Sequence, residues 1–363
     1  MYYLNQKNPH GGAVGKNIAL DFSISLNPLG MPPAAREAAR EAAGAAERYP
    51  DPCCRELVEA IAAREAVPGS SVLCGNGASE LIWSYCAALR PARAILPVPT
   101  FSEYAAALIR YGCQVDGYPL RQADGFALSE EFPALLERER PDAVFLCNPN
   151  NPTGRLIPLS LLERILQVCR KRGIRLFLDE CFLELAEDGE SLRGRMKEYP
   201  GLFILRAFTK TYAMAGLRLG YCLSADRALL QRMSAITPPW NVSGPAQAAG
   251  LAALGDADFL ARSRETIRRE RVWLKAALEI LEYQVFPSEA NFLLFHGPAG
   301  LRAALNEHGI ELRDCANFSG LGPGWYRAAV RRREENEKLV EALRTVNTEL
   351  RANTLRNLFH SKA

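Results

Sequence analysis

The sequence predicts an α/β protein with a large, mostly parallel sheet covered by helices, plus a smaller α+β domain. Short apolar or β-branched runs alternate with amphipathic stretches of helical length between residues 72 and 222, as in repeated β-α-β units. After a long charged helix predicted at about residues 258–281, short strands and helices follow in mixed order. The 363 residues are enough for two domains that share a boundary.

The first elements are predicted from breaker residues and helix formers. A polar opening contains one apolar run, residues 18–23, before prolines and a glycine interrupt the backbone. Pro33 is expected to start a helix, and the Ala, Glu and Arg residues at 34–47 favour its continuation. A second helix is predicted at about residues 54–65.

The later elements are predicted from hydrophobic periodicity. Strands of the large sheet are expected at residues 94–98, 143–147, 174–178, 202–205 and 218–222. A helix at residues 160–172 places its apolar residues on one face. The smaller domain is expected to have strands at 291–295, 310–313 and 325–330, and helices at 301–308 and 334–350.

These elements predict the following division of the chain. Residues 1–47 contribute to the small domain and the active site, and residues 48–260 form the large, cofactor-binding domain. Residues 261–350 form the small domain, and residues 351–363 are a tail. The tail is polar with isolated apolar residues and is expected to be frayed or loosely docked.

Composition favours a folded enzyme that acts on small molecules. Apolar residues make up 48% and charged residues 23%, and the net charge is only +3. These fractions are typical of a folded globular protein. A net charge this small produces no positive electrostatic field that would attract nucleic acid or an anionic membrane. No apolar run is long enough to cross a bilayer, and the ten cysteines include no Cys-x-x-Cys pair. We expect a cytoplasmic protein with reduced thiols and no metal site.

Polar residues follow the predicted strands, where an open parallel sheet binds its ligands. Lys210 lies between an apolar strand and a glycine-bearing segment. A buried amine is costly unless it is neutral or bonded, and a Schiff base to a carbonyl cofactor removes that cost. Asp179 ends another apolar strand, where an ionised carboxylate needs a cationic partner such as a pyridinium nitrogen. Taken singly, each residue also fits an ordinary strand end.

Two further segments suggest an anion site and an unusual turn. Backbone amides after Gly75, at a predicted helix start, would suit a phosphate, together with the Thr209 hydroxyl and the Arg218 guanidinium. Residues 148–154 contain three asparagines, two prolines and a glycine, which could aim an amide at a ring oxygen.

Six parts of the sequence carry a family resemblance when they are taken together: residues 150–154, Asp179, Glu180, Thr209, Lys210 and Arg218. In order and spacing they resemble the fold-type I pyridoxal-phosphate superfamily near the histidinol-phosphate aminotransferases. The resemblance implies a mixed, mostly parallel seven-stranded sheet and pyridoxal 5'-phosphate as cofactor. It implies that Lys210 carries the cofactor, Asp179 pairs with its ring nitrogen and Asn151 contacts its 3-oxygen. It also implies that Phe101 stacks on the ring, and that Gly77, Ala78, Ser79, Thr209 and Arg218 bind the phosphate. Tyr49 matches a tyrosine that these homodimers lend to the partner's cofactor phosphate.

A narrower resemblance favours a decarboxylase. Phe182 stands where many aminotransferases have a tyrosine near the ring oxygen. Six further segments resemble the threonine-phosphate decarboxylases of cobamide synthesis, namely residues 10–12, 21–23, 27–30, 101–104, 313–318 and 326–327. That family implies that substrate phosphate and carboxylate are surrounded by His10, Gly11, Asn27, Asn151, Arg313 and Arg327. It implies decarboxylation of O-phospho-L-threonine, or of O-phospho-L-serine. A histidinol-phosphate-type aminotransferase remains an alternative, and a cofactor-binding regulator without enzymatic activity is a more distant one.

Overall fold

The computed structural model describes residues 11–12 and 17–360, with side chains described up to residue 350. Within these ranges the strands are β1 (Leu20–Asp21), β2 (Val72–Gly75), β3 (Arg93–Val98), β4 (Gln114–Pro119), β5 (Ala143–Cys147), β6 (Arg175–Asp179), β7 (Leu202–Ala207), β8 (Gly220–Ser224), β9 (Gln284–Val285), β10 (Phe292–His296), β11 (Ile310–Glu311), β12 (Arg313–Asp314) and β13 (Trp325–Ala329). The helices are α1 (Pro33–Ala43), α2 (Arg55–Glu65), α3 (Gly77–Leu89), α4 (Ser102–Arg110), α5 (Phe132–Glu139), α6 (Leu159–Arg172), α7 (Phe208–Thr211), α8 (Arg227–Ile236), α9 (Gly244–Leu254), α10 (Phe259–Ile280), α11 (Leu301–Glu307) and α12 (Arg333–His360).

The central sheet has seven strands in the order β2-β8-β7-β6-β5-β3-β4. Strand β8 pairs antiparallel with both of its neighbours, whereas the pairs from β7 to β4 are parallel. Strands β5, β6, β7 and β8 are almost entirely buried because helices cover both faces of the sheet. The predicted α/β class with a mixed, mostly parallel sheet is confirmed. The carboxyl ends of six strands and the start of the reversed β8 therefore meet at one edge.

A second, four-stranded antiparallel sheet, β12-β13-β10-β9, lies in the C-terminal part of the chain. Its core packs against α10, α11 and α12 through residues that include Leu274, Leu293 and Leu343. Strand β1 pairs with β11, and Phe22 joins this core. The N-terminal segment is thereby fastened to the C-terminal part of the chain.

Several boundaries differ from those predicted, for local reasons. Strand β4 was not predicted because it is an edge strand with little buried apolar surface. Helix α1 ends before Gly44 rather than at residue 47, since glycine disfavours a helix interior. The single strand predicted at 310–313 is two strands that pair with different partners. Strand β11 pairs with β1, strand β12 pairs with β13, and the buried Leu312 lies between them. Helix α12 continues to His360, ten residues beyond its predicted end.

A charged network is buried beneath the strand that leads to Lys210. Arg206 in β7 is only 4% exposed, and its Nη2 lies 2.7 Å from Glu180 Oε2. Its Nη1 lies 4.0 Å from Glu65 Oε1, and the same oxygen accepts a 2.6 Å hydrogen bond from the Tyr221 hydroxyl. Arg193 reaches the other Glu65 oxygen at 2.6 Å. The arginines thus compensate two carboxylates that water does not reach.

Among the residues that the structure describes, none of the helices combines the length and the apolar character that a bilayer span requires.

Candidate active site

A cavity of about 240 Å³ opens at the carboxyl edge of the large sheet. Three parts of the chain line it: the strand ends, the N-terminal segment at Gly11 and Ser23, and the C-terminal sheet at Arg313 and Arg327. Most of the sequence-predicted residues meet here. They are Gly11, Ala78, Ser79, Phe101, Asn151, Asp179, Thr209, Lys210, Arg218, Arg313 and Arg327.

Lys210 enters the cavity from α7, the single turn of helix that follows β7. Burial lowers the pKa of Lys210 to about 8, and the nearby Arg327 adds to the effect. Its Nζ lies 5.8 Å from the centroid of the Phe182 ring. The backbone N–H of Asn27 donates to the Lys210 carbonyl at 3.1 Å. The lysine is therefore fixed at its backbone, and its amine is neutral to a greater extent at neutral pH than a free lysine.

Asp179 ends β6 inside the same cavity. Burial raises the pKa of its carboxyl group, and hydrogen bonds from Cys181 and Tyr104 oppose that rise. The Cys181 backbone N–H donates to Oδ1 at 2.9 Å, and the Tyr104 hydroxyl donates to Oδ2 at 2.5 Å. A buried carboxylate that lines a cavity and accepts two hydrogen bonds is a suitable partner for a cationic nitrogen.

The start of α3 forms an anion site with the segment around Arg218. Gly77 is the first residue of α3 and has a φ of +80°. A Cβ at this position would lie 2.5 Å from Arg218 Nη2, so the absent side chain leaves room for the guanidinium. Ala78 and Ser79 follow in the first turn, and Thr209 lines the cavity beside them. Helix amides, a hydroxyl and a guanidinium fit a phosphate group.

We expect Gly77→Ala to weaken binding of a phosphate-bearing cofactor by roughly 10- to 100-fold, because the methyl group would displace Arg218 and the backbone would be strained. The measurement is a fluorescence titration of the cofactor-free protein with pyridoxal phosphate. Gly194→Ala is the matched control, since a Cβ there meets nothing within 4 Å. Equal affinities for the two variants would contradict the assignment of Gly77 to the anion site.

Arg327 is the most buried cation of the cavity wall, at 7% exposure. Its Nη1 donates to Asn151 Oδ1, and its Nη2 donates to the Ser23 carbonyl at 2.8 Å. Within the described part of the chain its Nε has no hydrogen-bond partner. Burial lowers the pKa of Arg327 to about 10. A desolvated guanidinium with an unmatched donor favours an anionic ligand.

Arg313 lies closer to solvent at the mouth of the cavity. Its Nη2 donates to Asn317 Oδ1 at 2.9 Å, and its guanidinium carbon lies 5.1 Å from the centroid of the Phe318 ring. Burial lowers the pKa of Arg313 below its usual value. Two guanidinium groups therefore face one cavity and could bind two anionic groups of a single ligand.

Three predicted site residues that the structure describes do not line the cavity, namely Asn27, Gly77 and Tyr49. The Asn27 side-chain amide donates to the Thr211 carbonyl at 2.8 Å and to Ser263 Oγ at 2.7 Å, so it ties the Lys210 turn to α10, and its role in substrate binding stays a prediction. Gly77 does not line the cavity itself but lies next to Arg218, which does. Tyr49 is 79% exposed and lies against Trp240, with ring centroids 4.6 Å apart. His10 lies outside the described residues.

Two functional neighbours were not predicted from the sequence, namely Tyr104 and Cys181, which both bond Asp179. The spacing of three between Phe101 and Tyr104 at the start of α4 was an available signal, because residues three apart lie on the same face of a helix. Cys181 acts through its backbone N–H, which no side-chain pattern reveals.

Comparisons with known proteins agree with this geometry. The family model described as aminotransferase class I and II matches residues 17–343. Threonine-phosphate decarboxylase of Salmonella typhimurium is 38% identical over 335 residues, which cover 91% of this chain and 91% of that relative. The crystal structure of histidinol-phosphate aminotransferase from Clostridium acetobutylicum has a TM-score of 0.84 and 29% identity, and covers 91% of this chain and 99% of its own. That of L-threonine-O-3-phosphate decarboxylase from Porphyromonas gingivalis has a TM-score of 0.78 and 26% identity, and covers 90% and 98%. Relatives of two reaction types are thus similar to the chain over most of its length.

Proposed function

Because the chain belongs to the class I and II aminotransferase family, we propose that it is a pyridoxal-phosphate enzyme that decarboxylates O-phospho-L-threonine to (R)-1-aminopropan-2-ol phosphate. The observation that carries this proposal is the convergence of Lys210, Asp179, the anion site of α3 and two arginines on one cavity. The 38% identity to a threonine-phosphate decarboxylase supports the choice of reaction. The product would enter the nucleotide loop of a cobamide.

The cavity residues fit the cofactor. The first turn of α3, with Thr209 and Arg218 on the cavity wall, suits a phosphate. Asp179 suits a pyridine nitrogen, and the Lys210 amine suits an aldehyde. Phe101 lines the cavity where a ring would stack, and Asn151 would contact the 3-oxygen. When bound, pyridoxal phosphate supplies a conjugated ring system that accepts the electron pair of a bond broken at the substrate α-carbon.

Substrate anchoring would select the bond that breaks. A decarboxylase would have to hold the substrate so that the bond to its carboxylate, rather than the bond to its α-hydrogen, is the one whose electrons the cofactor accepts. If Arg313 and Arg327, together with His10 and Gly11, bind mainly the distal phosphate, the carboxylate is left unpinned and can leave. The buried aromatic wall formed by Phe182 would exclude water from the leaving group.

Lys210 Nζ would also move the proton that completes the reaction. With substrate bound, this amine would be free to act in the cavity. Its pKa of about 8 lets it carry a proton at neutral pH and give it up to the α-carbon. The single-turn helix that positions Lys210 would hold the donor in place for that transfer.

Phosphoserine is a second substrate candidate, and it would give ethanolamine phosphate. It differs from phosphothreonine by one methyl group, which an apolar pocket distinguishes by only about 1–3 kcal/mol. Transamination of histidinol phosphate is the competing reaction, favoured by the TM-score of 0.84 to such an aminotransferase. A regulator without enzymatic activity would have to bind DNA tightly and lack both reactions.

The deciding experiment measures CO2 release from O-phospho-L-threonine and O-phospho-L-serine by the purified protein with pyridoxal phosphate. A parallel reaction contains histidinol phosphate and 2-oxoglutarate. We expect CO2 from phosphothreonine without consumption of any keto acid. Consumption of 2-oxoglutarate without CO2 would identify an aminotransferase and overturn the decarboxylase proposal.

We further propose a homodimer whose active sites each receive Tyr49 from the partner. The 79% exposure of this tyrosine and its contact with Trp240 support the proposal, because exposed paired aromatics often mark an interface. Mixing inactive Tyr49→Phe and Lys210→Ala chains should restore activity, since each heterodimer has one site with both native residues. Heterodimers that form but stay inactive would contradict a shared site.

A further inference from the structure

The carboxylate of Asp179 accepts hydrogen bonds from the protein on both of its oxygens. The backbone N–H of Cys181 occupies Oδ1 at 2.9 Å, and the Tyr104 hydroxyl occupies Oδ2 at 2.5 Å. The second distance lies in the range of a hydroxyl that donates to an ionised acceptor. The tyrosine bond is therefore the stronger of the two contacts.

The Tyr104 side chain is fixed by its surroundings. It is 0% exposed, and the rings of Phe101, Phe145 and Phe177 lie around it, with centroids 5.6, 6.0 and 5.9 Å away. These rings pack against the Tyr104 ring, and a buried hydroxyl needs a hydrogen-bond partner. The hydroxyl thus points at Asp179 as a permanent donor.

This donor opposes the effect of burial on the carboxyl group. Burial favours the neutral form of a carboxylic acid, whereas a donated hydrogen bond favours the ionised form. The titratable groups close to Asp179 are Tyr104 on α4, Cys147 at the end of β5, Cys181 after β6 and Lys210 on α7. Burial and the adjacent Asp179 raise the pKa of Tyr104 well above its usual value, so the phenol remains a donor at any working pH.

We propose that Tyr104 is a positioning residue that acts through Asp179, keeping this carboxylate ionised and oriented so that it holds the ring nitrogen of the cofactor in its protonated form. The inference rests on the proposed use of pyridoxal phosphate but not on the proposed choice of reaction. A protonated ring nitrogen makes the cofactor a stronger electron acceptor in decarboxylation and in transamination alike.

The chain contains a matched control for this hydroxyl. Tyr85 is also 0% exposed and packs against Phe145 and Phe177 in the same apolar cluster. Its hydroxyl has no hydrogen-bond partner within the described part of the chain. Tyr85→Phe therefore removes a buried phenol oxygen from this cluster without touching Asp179.

The test is ¹⁵N NMR of the wild-type protein and the two variants, each loaded with pyridoxal phosphate that is ¹⁵N-labelled in its ring. We expect a protonated ring nitrogen in the wild type and in Tyr85→Phe, and a shift towards the unprotonated form in Tyr104→Phe. In the same variant kcat should fall roughly tenfold while KM changes less than about twofold. An unchanged nitrogen resonance in Tyr104→Phe would overturn the inference.

A double substitution separates this role from a merely structural one. In an Asp179→Asn background, adding Tyr104→Phe should cause no further change in the nitrogen resonance, because the hydroxyl acts only through the carboxylate. A further change would contradict the inference.

A Tyr104→Phe chain that fails to fold while Tyr85→Phe folds would also overturn it, since the hydroxyl would then be structural. A wild-type protein that binds no labelled cofactor would overturn the proposed function as well, whereas bound cofactor with an unchanged resonance would overturn this inference alone.

Discussion

Replacing Lys210 by alanine should reduce turnover at least about a thousandfold, because in the proposed function one residue supplies both the covalent attachment and the proton transfer. Among the described residues that line the cavity, Lys210 is the only lysine, so no neighbouring amine can substitute for it. The anion site and Asp179 remain, and the variant should still bind pyridoxal phosphate, but without a covalent bond.

Two measurements check this expectation. Steady-state turnover at saturating cofactor gives the loss of activity, and borohydride reduction followed by mass spectrometry shows whether the chain retains the cofactor's mass. The control is Lys171→Ala, which removes an exposed lysine that pairs with Glu137 on the surface and should change neither result. A Lys210→Ala protein that kept a tenth of the activity, or became labelled at another lysine, would contradict the assignment.

Replacing Arg206 by methionine should lower the free energy of unfolding by about 3–5 kcal/mol, because two buried carboxylates would lose their shared cation. Glu180 lies 2.7 Å from this arginine, and the other oxygen of Glu180 has no partner in the described structure. The loss would be measured by urea denaturation at a fixed protein concentration, since the apparent stability of the proposed dimer would depend on concentration.

Two variants show whether the loss comes from the uncompensated charge. Adding Glu180→Gln to Arg206→Met should restore part of the stability, because the double variant no longer buries that unpaired carboxylate. Arg195→Met removes a surface arginine that pairs with Glu163 and Glu198, and it should leave the unfolding curve unchanged. Equal losses in the single and the double variant would indicate that packing, rather than charge, stabilises this region.

The sequence predicted best what depends on local pattern. The strands that carry Asp179 and Lys210 are apolar runs ended by a polar residue, and the topology of a parallel sheet brings such ends to one edge. Gly11, Phe101, Arg313 and Arg327 line the same cavity but were expected there from the family resemblance alone. Strand-end reasoning accounts for Asp179, Thr209, Lys210 and Arg218 in that cavity. It gave no information on edge strand β4, whose residues are largely exposed.

Contacts between distant parts of the chain could not be predicted in this way. The Asn27 amide donates to the carbonyl of Thr211, which lies 184 positions later in the sequence. It also donates to Ser263, which lies 236 positions later. No periodicity encodes such partners, so the sequence does not show that the Asn27 side chain ties the Lys210 turn to α10. Tyr104 was overlooked for the opposite reason, because its position in an apolar helix face hides a polar function.

The reversed strand β8 has a consequence for biosynthesis. Strand β2 hydrogen-bonds only to β8 in the sheet, and Gly75 pairs with Gly220, 145 positions later. At translation rates of about 5–20 residues per second, roughly 7–30 seconds pass between the synthesis of β2 and that of its partner β8. During that interval its edge is open to pairing with other nascent chains, and Gly77 and Arg218 cannot yet meet. The anion site is therefore among the last parts of the large sheet to assemble on the ribosome.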